Sequence, residues 1–218
     1  MKWFLISICA LVCTGLANAQ SPATPPAATL DDGQVMARPI PPEVVNSAVT
    51  AVEKLGEQVV LGRYQTAIER MNPLWKDRMA KRLGSMAKLD AELNEAAAKM
   101  VRQGITMISF KTQGVPRAFE VWPGTETVKT AAGPRSRLVY EKWMVLVPTV
   151  TRYRITPQGG PKPIIIESAG FQVAVRAKDS TEWTFIDGSN LSGGDLRSLF
   201  VTLPQDIELP AVERKQVQ

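Results

Sequence analysis

Asp187 is the side chain in this sequence best placed to do chemistry. It closes the run Trp183 to Asp187, in which Trp183, Phe185 and Asp187 fall on one strand face, because successive side chains alternate across a pleated ribbon. A carboxylate held against two aromatics loses hydration, so its charged form is disfavoured and it can act as a general base or proton-sharing acid. Tyr140 and Trp143 on a neighbouring strand-like run, with Tyr64 from the helical part, would complete the walls of such a pocket. The same carboxylate has a plainer use. Asp187-Gly188 is a turn signal, in which the side chain accepts backbone N–H bonds at the strand end. Asp195 and Asp206 are weaker candidates for the same chemistry.

A second constellation is cationic. Arg152 and Arg154 share one strand face, with Arg135, Arg137 and Lys162 in or beside the adjoining loops. Such a group could clamp a phosphate or carboxylate on a glycan or lipid. Charges alternating along a strand also serve simply to keep a sheet face wet or an edge protected.

What the chain lacks narrows the chemistry further. It has no histidine, and its two cysteines, Cys9 and Cys13, both sit in the first twenty residues. Thiol and imidazole nucleophiles, Ser-His-Asp triads and nitrogen- or sulfur-ligated zinc and copper sites are thereby excluded. No residue pattern calls for a cofactor or a metal.

Those first residues read as an export signal. Lys2 precedes an apolar run from Trp3 to Val12, and Ala17-Asn18-Ala19 supplies the small residues of a cleavage site, so residues 1–19 are expected to leave an exported chain in the periplasm or outside the cell. The apolar run is shorter than the ~20 residues that cross a bilayer, and no integral span is expected elsewhere. Residues 20–42, rich in Pro, Ala and Thr, cannot bury enough apolar surface to offset ordering entropy and read as a disordered linker. A formal net charge of +5 suits a soluble protein mildly attracted to anionic envelope polymers. No aromatic-basic recognition motif points to nucleic acid.

The elements that must position the candidates follow from periodicity. Pro41-Pro42-Glu43 opens a helix whose apolar stripe is Val45, Ala48, Val49, Val52, Leu55 and Val59. A short helix from Arg63 to Met71 follows, then one from Pro73 to Leu83, a break at Gly84-Ser85, and a long amphipathic helix from Met86 to Gly104. The methionines on these helices would suit a greasy ligand box, but Met at helical spacing is usually core. Beyond Gly104 the period becomes strand-like over Ile105–Phe110, Ala118–Trp122, Leu138–Val147, Thr149–Ile155, Ile164–Val175 and Trp183–Asp187, with Gly124 to Ser136 and Thr156 to Pro163 as loops. From Trp143 both faces of the long run are apolar, as in a central strand covered on both sides, and Pro148 should interrupt its ladder. A short helix after Gly193-Gly194 and a tail from residue 211 complete the chain, with a single domain expected over 43–210 and 211–218 flexible.

Helices followed by long strands predict an α+β fold with N-terminal helices packed on one face of a curved antiparallel sheet. Three phrases, GRYQTAIERMNP, KMVRQGITMISF and EWTFIDG with LRSLFVTLPQDIELP, resemble a secreted bacterial branch of the NTF2-like (cystatin-like α+β) superfamily over about Glu43 to Pro210. The resemblance implies a cone-shaped sheet around helices, an open pocket and a homodimer across the sheet; its enzymes place a carboxylate or histidine inside the cone. The expected function is a noncatalytic exported domain binding a small apolar ligand or a cell-envelope component through the concave face. The alternative is a cavity enzyme, an isomerase or dehydratase, using Asp187 with Tyr140 or Tyr64. A third is a scaffold that only dimerises.

Overall fold

The computed structural model describes residues 40–130, 133–156 and 162–217. The leader and the linker up to residue 39 lie outside the described residues. The described residues form helices α1 (Pro42–Val60), α2 (Tyr64–Glu69), α3 (Pro73–Leu83), α4 (Met86–Arg102) and α5 (Gly193–Leu199). Strands β1 (Ile105–Thr112), β2 (Arg117–Thr130), β3 (Gly133–Ile155), β4 (Ile164–Ala177), β5 (Thr184–Asp187) and β6 (Glu213–Val217) pair antiparallel in one sheet. The chain is α+β. No helix among the described residues is long and apolar enough to cross a membrane.

Local chemistry sets the helix boundaries. The Asn72 side chain accepts from the backbone N–H of Leu74 and Trp75 to start α3, and the Ser85 hydroxyl accepts from that of Lys88 to start α4, satisfying donors that a helix N-terminus leaves open. Gly104 turns α4 into β1 with φ +65°, and a Cβ there would come 2.5 Å from the Thr156 carbonyl oxygen, so the corner needs glycine twice over. The buried stripe of α1 is rotated from the expected one: Val44, Ala48, Val52 and Gly56 face inward at spacings of four. Gly56 carries no apolar side chain, so periodicity alone passes over the position where the helix comes closest to the sheet.

β3 is the spine of the sheet. One of its edges carries β1 opposite Thr149–Ile155 and β2 opposite Gly133–Leu146, while its other edge pairs with β4 from Lys142 to Ile155. Pro148, expected to interrupt the ladder, does not. Its carbonyl accepts from the N–H of Gln113 in the link between β1 and β2, so its missing donor faces the gap where one neighbour hands over to the next. The ladder to β4 is untouched. The stretch read as a loop, Gly124 to Ser136, lies mostly in the β2–β3 hairpin, with Thr130 and Gly133 as its last pair.

Both sheet faces are covered, as expected for the centre of β3, where Met144 to Val147 are all buried. Val145, Val147 and Ala174 pack with Val44, Ala48 and Val52 of α1. Met144, Leu146, Val173, Val175 and Ile186 alternate onto the opposite face and belong to a cluster that includes Leu196 of α5, Phe200, Leu203 and Ile207. That second cluster also takes in Trp75 and Met79 of α3 and Leu89 and Leu93 of α4, so the expectation of N-terminal helices on one face is corrected: α1 packs with the Val145 face, while α3 and α4 join the cluster of the other.

The free edge of β4 is closed by two short strands. β5 pairs with Gln172–Val175 and β6 with Ile165–Ala169. The reading of 211–218 as a flexible tail is corrected here, because Glu213–Val217 is that sixth strand, held also by a Lys215–Glu167 ion pair of 2.9 Å. Its sequence, ERKQV, has no apolar alternation; the exposed backbone edge of β4 is what orders it.

Candidate functional site

Between the helices and the sheet lies a cavity of about 260 Å³. Leu55, Gly56 and Val59 of α1, Ala67 and Ile68 of α2, Trp75 and Met79 of α3 and Leu93, Ala97 and Met100 of α4 form its helical wall. Met79 and Met100 of the helices are buried, as core methionines are, and they also line the cavity, as does Met107 of β1.

The sheet contributes a different surface. On the face that meets α1, β3 runs Val145, Val147, Thr149, Thr151, Tyr153, and β4 answers with Ala174, Gln172, Gly170 and Ser168 in register. The apolar members of these rows pack under α1; the polar ones line the cavity. Asp187 is the register partner of Gln172, and Arg214 of β6 is the partner of Ser168, so both side chains join the same floor.

Asp187 ends its strand in the turn that Asp187-Gly188 signals, and it also lines the cavity. Its Oδ1 accepts from the Ser189 hydroxyl at 2.9 Å and the Ser189 backbone N–H at 3.2 Å, capping a 3-10 turn over Gly188–Asn190, and the Gln172 side-chain amide donates to the same oxygen at 3.4 Å. Asp187 is exposed to solvent where it lines the cavity, with many protein atoms around its carboxyl. Burial pushes its pKa above the ordinary carboxylate value; the Ser189 hydrogen bonds, the positive field of Arg214 and the Gln172 contact oppose this without cancelling it.

Of the proposed pocket walls, Tyr64 and Phe185 line the cavity and three residues do not. Trp183 is buried in the cluster under α1 with the Arg176 guanidinium 5.0 Å from its ring centre. Trp143 packs against the same cluster, and the Lys178 ammonium sits 4.3 Å from its ring centre. Tyr140 lies opposite Pro123 on the hairpin, away from the cavity lining. The alternation placing Trp183 with Phe185 and Asp187 was right, but α1 covers that face before the cavity begins.

The cationic candidates are elsewhere too. Arg152 and Arg154 are exposed on the opposite face of β3, and Arg152 donates to Glu167 at 2.7 Å, a carboxylate that Lys215 also binds. They resemble a protected sheet surface more than an anion clamp. Asp195 does reach the cavity lining, where it caps α5 through Ser192 and pairs with Arg78 at 3.1 Å and Arg82 at 3.3 Å. Burial alone would raise its pKa, but the Ser192 bonds with Arg82 and Arg78 outweigh that and lower it. Asp206 is not among the lining residues.

Sequence reasoning missed Tyr153, Arg214 and the hydroxyl row. Tyr153 is buried at the cavity, and desolvation raises its pKa against the field of Arg214. Arg214 had no detectable signal, since it belonged to the supposed tail. The hydroxyl row did have one: the same face of β3 changes from valine to threonine after Val147.

The fold and site together define an α+β domain with an apolar cavity over a polar strand floor. No family model, curated protein or solved structure matches the chain. No group of three or more carboxylates, histidines or cysteines among the described residues could hold a metal ion.

Proposed function

We propose that this chain is an exported, noncatalytic binding domain of the NTF2-like type, which takes a small, largely apolar ligand into the cavity between its helices and its sheet. The observation that carries this reading is the cavity itself, walled largely by apolar side chains on α1 to α4 and bordered by two carboxylates, Asp187 and Asp195. Pockets of this composition bind by shape and desolvation, with a few polar groups setting orientation. The reading of residues 1–19 as an export signal, with no histidine in the chain and no cysteine after Cys13, supports a role in recognition outside the cytoplasm.

The test is titration with N-phenyl-1-naphthylamine, an uncharged dye whose emission rises in apolar surroundings. Gly170 lines the cavity floor, and a Cβ added there meets nothing within 4 Å, so Gly170→Leu fills space without a backbone clash. Wild type should show one saturable site, and Gly170→Leu should lose it while keeping its circular dichroism and melting temperature. Equal dye uptake by the two proteins places the site elsewhere and removes the proposal.

One observation favours a second reading, a cavity enzyme of the isomerase or dehydratase type. A carboxyl with a raised pKa in a largely apolar cavity beside Tyr64 and Tyr153 is suited to move a proton at carbon. That reading requires 2-decalone to exchange its α-protons in D2O faster with wild type than with Asp187→Asn. Matching rates with the two proteins leave binding alone.

A further inference from the structure

The two walls of the cavity differ in kind. Apart from Tyr64 and the exposed Arg82, the residues of α1 to α4 that line it are apolar, and Asp195 of α5, held by Arg78 and Arg82, is the one carboxylate on the helical side. The sheet also brings the apolar Met107, Phe110, Phe171 and Phe185 to the cavity, but the floor made by the facing rows of β3 and β4 presents Thr149, Thr151 and Ser168, with Gln172 and Asp187 at one end. Thr149 is 5% exposed, a depth at which the preceding residues of the same face are Val145 and Val147. A hydroxyl buried without a partner is costly, yet none of these three hydroxyls makes a hydrogen bond to another described residue. They are not enclosed by protein atoms either; their open side is the cavity. All three hydrogen bonds recorded on Asp187 fall on Oδ1, so they do not engage Oδ2.

We infer that the ligand is facially amphipathic: a compact hydrocarbon body whose one face is bare and whose other face carries hydroxyl or comparable donor and acceptor groups. The bare face lies against α1, α2 and α4. The polar face lies on the strands, where the threonine and serine hydroxyls both donate and accept, and a donor at one end reaches Asp187. This rests on the cavity being the binding site, and it adds which chemistry the site selects. A plain acyl chain or an unsubstituted ring would leave the hydroxyl row without partners, a mismatch that discriminates more strongly than a change in apolar bulk.

The experiment displaces N-phenyl-1-naphthylamine with three probes of nearly equal shape: decalin, a decalindiol with both hydroxyls on one face, and its isomer with hydroxyls on opposite faces. In wild type the one-face diol should displace the dye at about tenfold lower concentration than the opposite-face isomer, the difference expected when one or two hydrogen bonds are lost. Thr149→Val with Thr151→Val keeps side-chain volume and strand preference, and should erase that preference while decalin binds as well or better. Ser168→Ala, a milder change on β4, should reduce the preference in a protein whose folding is not in question. Dye binding with no discrimination between the diols, or discrimination that survives all three substitutions, overturns the facial assignment and leaves cavity binding standing. Failure of the dye to bind wild type overturns both.

Discussion

Gly56 of α1 lies flat against the ring of Phe110 on β1, and a Cβ at position 56 would fall 2.0 Å from a ring carbon. Alanine favours a helix over glycine by about 1 kcal/mol, whereas overpacking a tight contact costs typically ~1–3 kcal/mol. Sterics should win. Gly56→Ala is expected to lower stability by about 1 kcal/mol net in urea unfolding, and because both residues line the cavity, the displaced ring should weaken dye binding as well. Adding Phe110→Leu should recover much of the loss; a stabilised single variant would show that the helix stands further from the sheet.

Asn72 fixes the cavity wall from outside it. Its side chain caps α3, its Nδ2 donates to Thr184 Oγ1 at 2.9 Å, and its backbone N–H donates to the Phe185 carbonyl, tying the start of the helix that carries Trp75 to β5. Removing a cap costs typically about 1 kcal/mol, and the half-buried Thr184 hydroxyl, which keeps its bond to the Val175 carbonyl but loses this donor, adds about 1 kcal/mol. Asn72→Ala should therefore lose about 2 kcal/mol by chemical denaturation. Asn72→Asp keeps the cap and loses the amide donor, so it should fall between; equal losses in the two variants would mean the Thr184 bond alone matters.

The two cavity carboxylates should affect stability with opposite signs of pH dependence. Asp187 has a folded pKa above its unfolded one, so the folded state holds the proton more tightly; its contribution is full below the unfolded pKa and is lost as pH rises through the folded pKa. Asp195 has a depressed folded pKa, so its contribution is present above the unfolded value and is lost as pH falls through the folded one. Melting curves across acid to neutral pH should show Asp187→Asn gaining on wild type as pH rises. Asp195→Asn should lose ground over the same interval. Parallel profiles for Asp187→Asn and wild type would mean that its carboxyl is well hydrated.

The last strand is the most easily removed part of the site. A chain ending at Pro210 lacks β6, Arg214 and the Lys215–Glu167 pair, and leaves the edge of β4 from Ile165 to Ala169 open. Open strand edges template association. The shortened protein should melt at lower temperature and show a larger mass by light scattering than the full chain at equal concentration. An unchanged melt and mass would show that β6 contributes little to the closed edge.

Much of the architecture was legible because short-range chemistry set it. Asn72-Pro73, Gly84-Ser85 and Gly104 mark helix ends through capping and left-handed backbone, which depend on a few adjacent residues. The buried centre of β3 was legible because Trp143 to Val147 are apolar on both faces. The change from Val147 to Thr149 on one face was also in the sequence, although only the cavity gives it meaning. The sequence by itself thus determined the helices and the strand centres between Ile105 and Asp187, the lack of imidazole chemistry, and the pairing of Asp187 with an aromatic face. Tertiary structure alone decided which aromatic joins it at the cavity: Trp183 and Phe185 are both buried in the cluster under α1, but Phe185 alone of the two also lines the cavity with Asp187. It also brought Arg214 to the floor, because an open strand edge recruits whatever backbone can reach it, and backbone hydrogen bonding leaves no pattern in side-chain order.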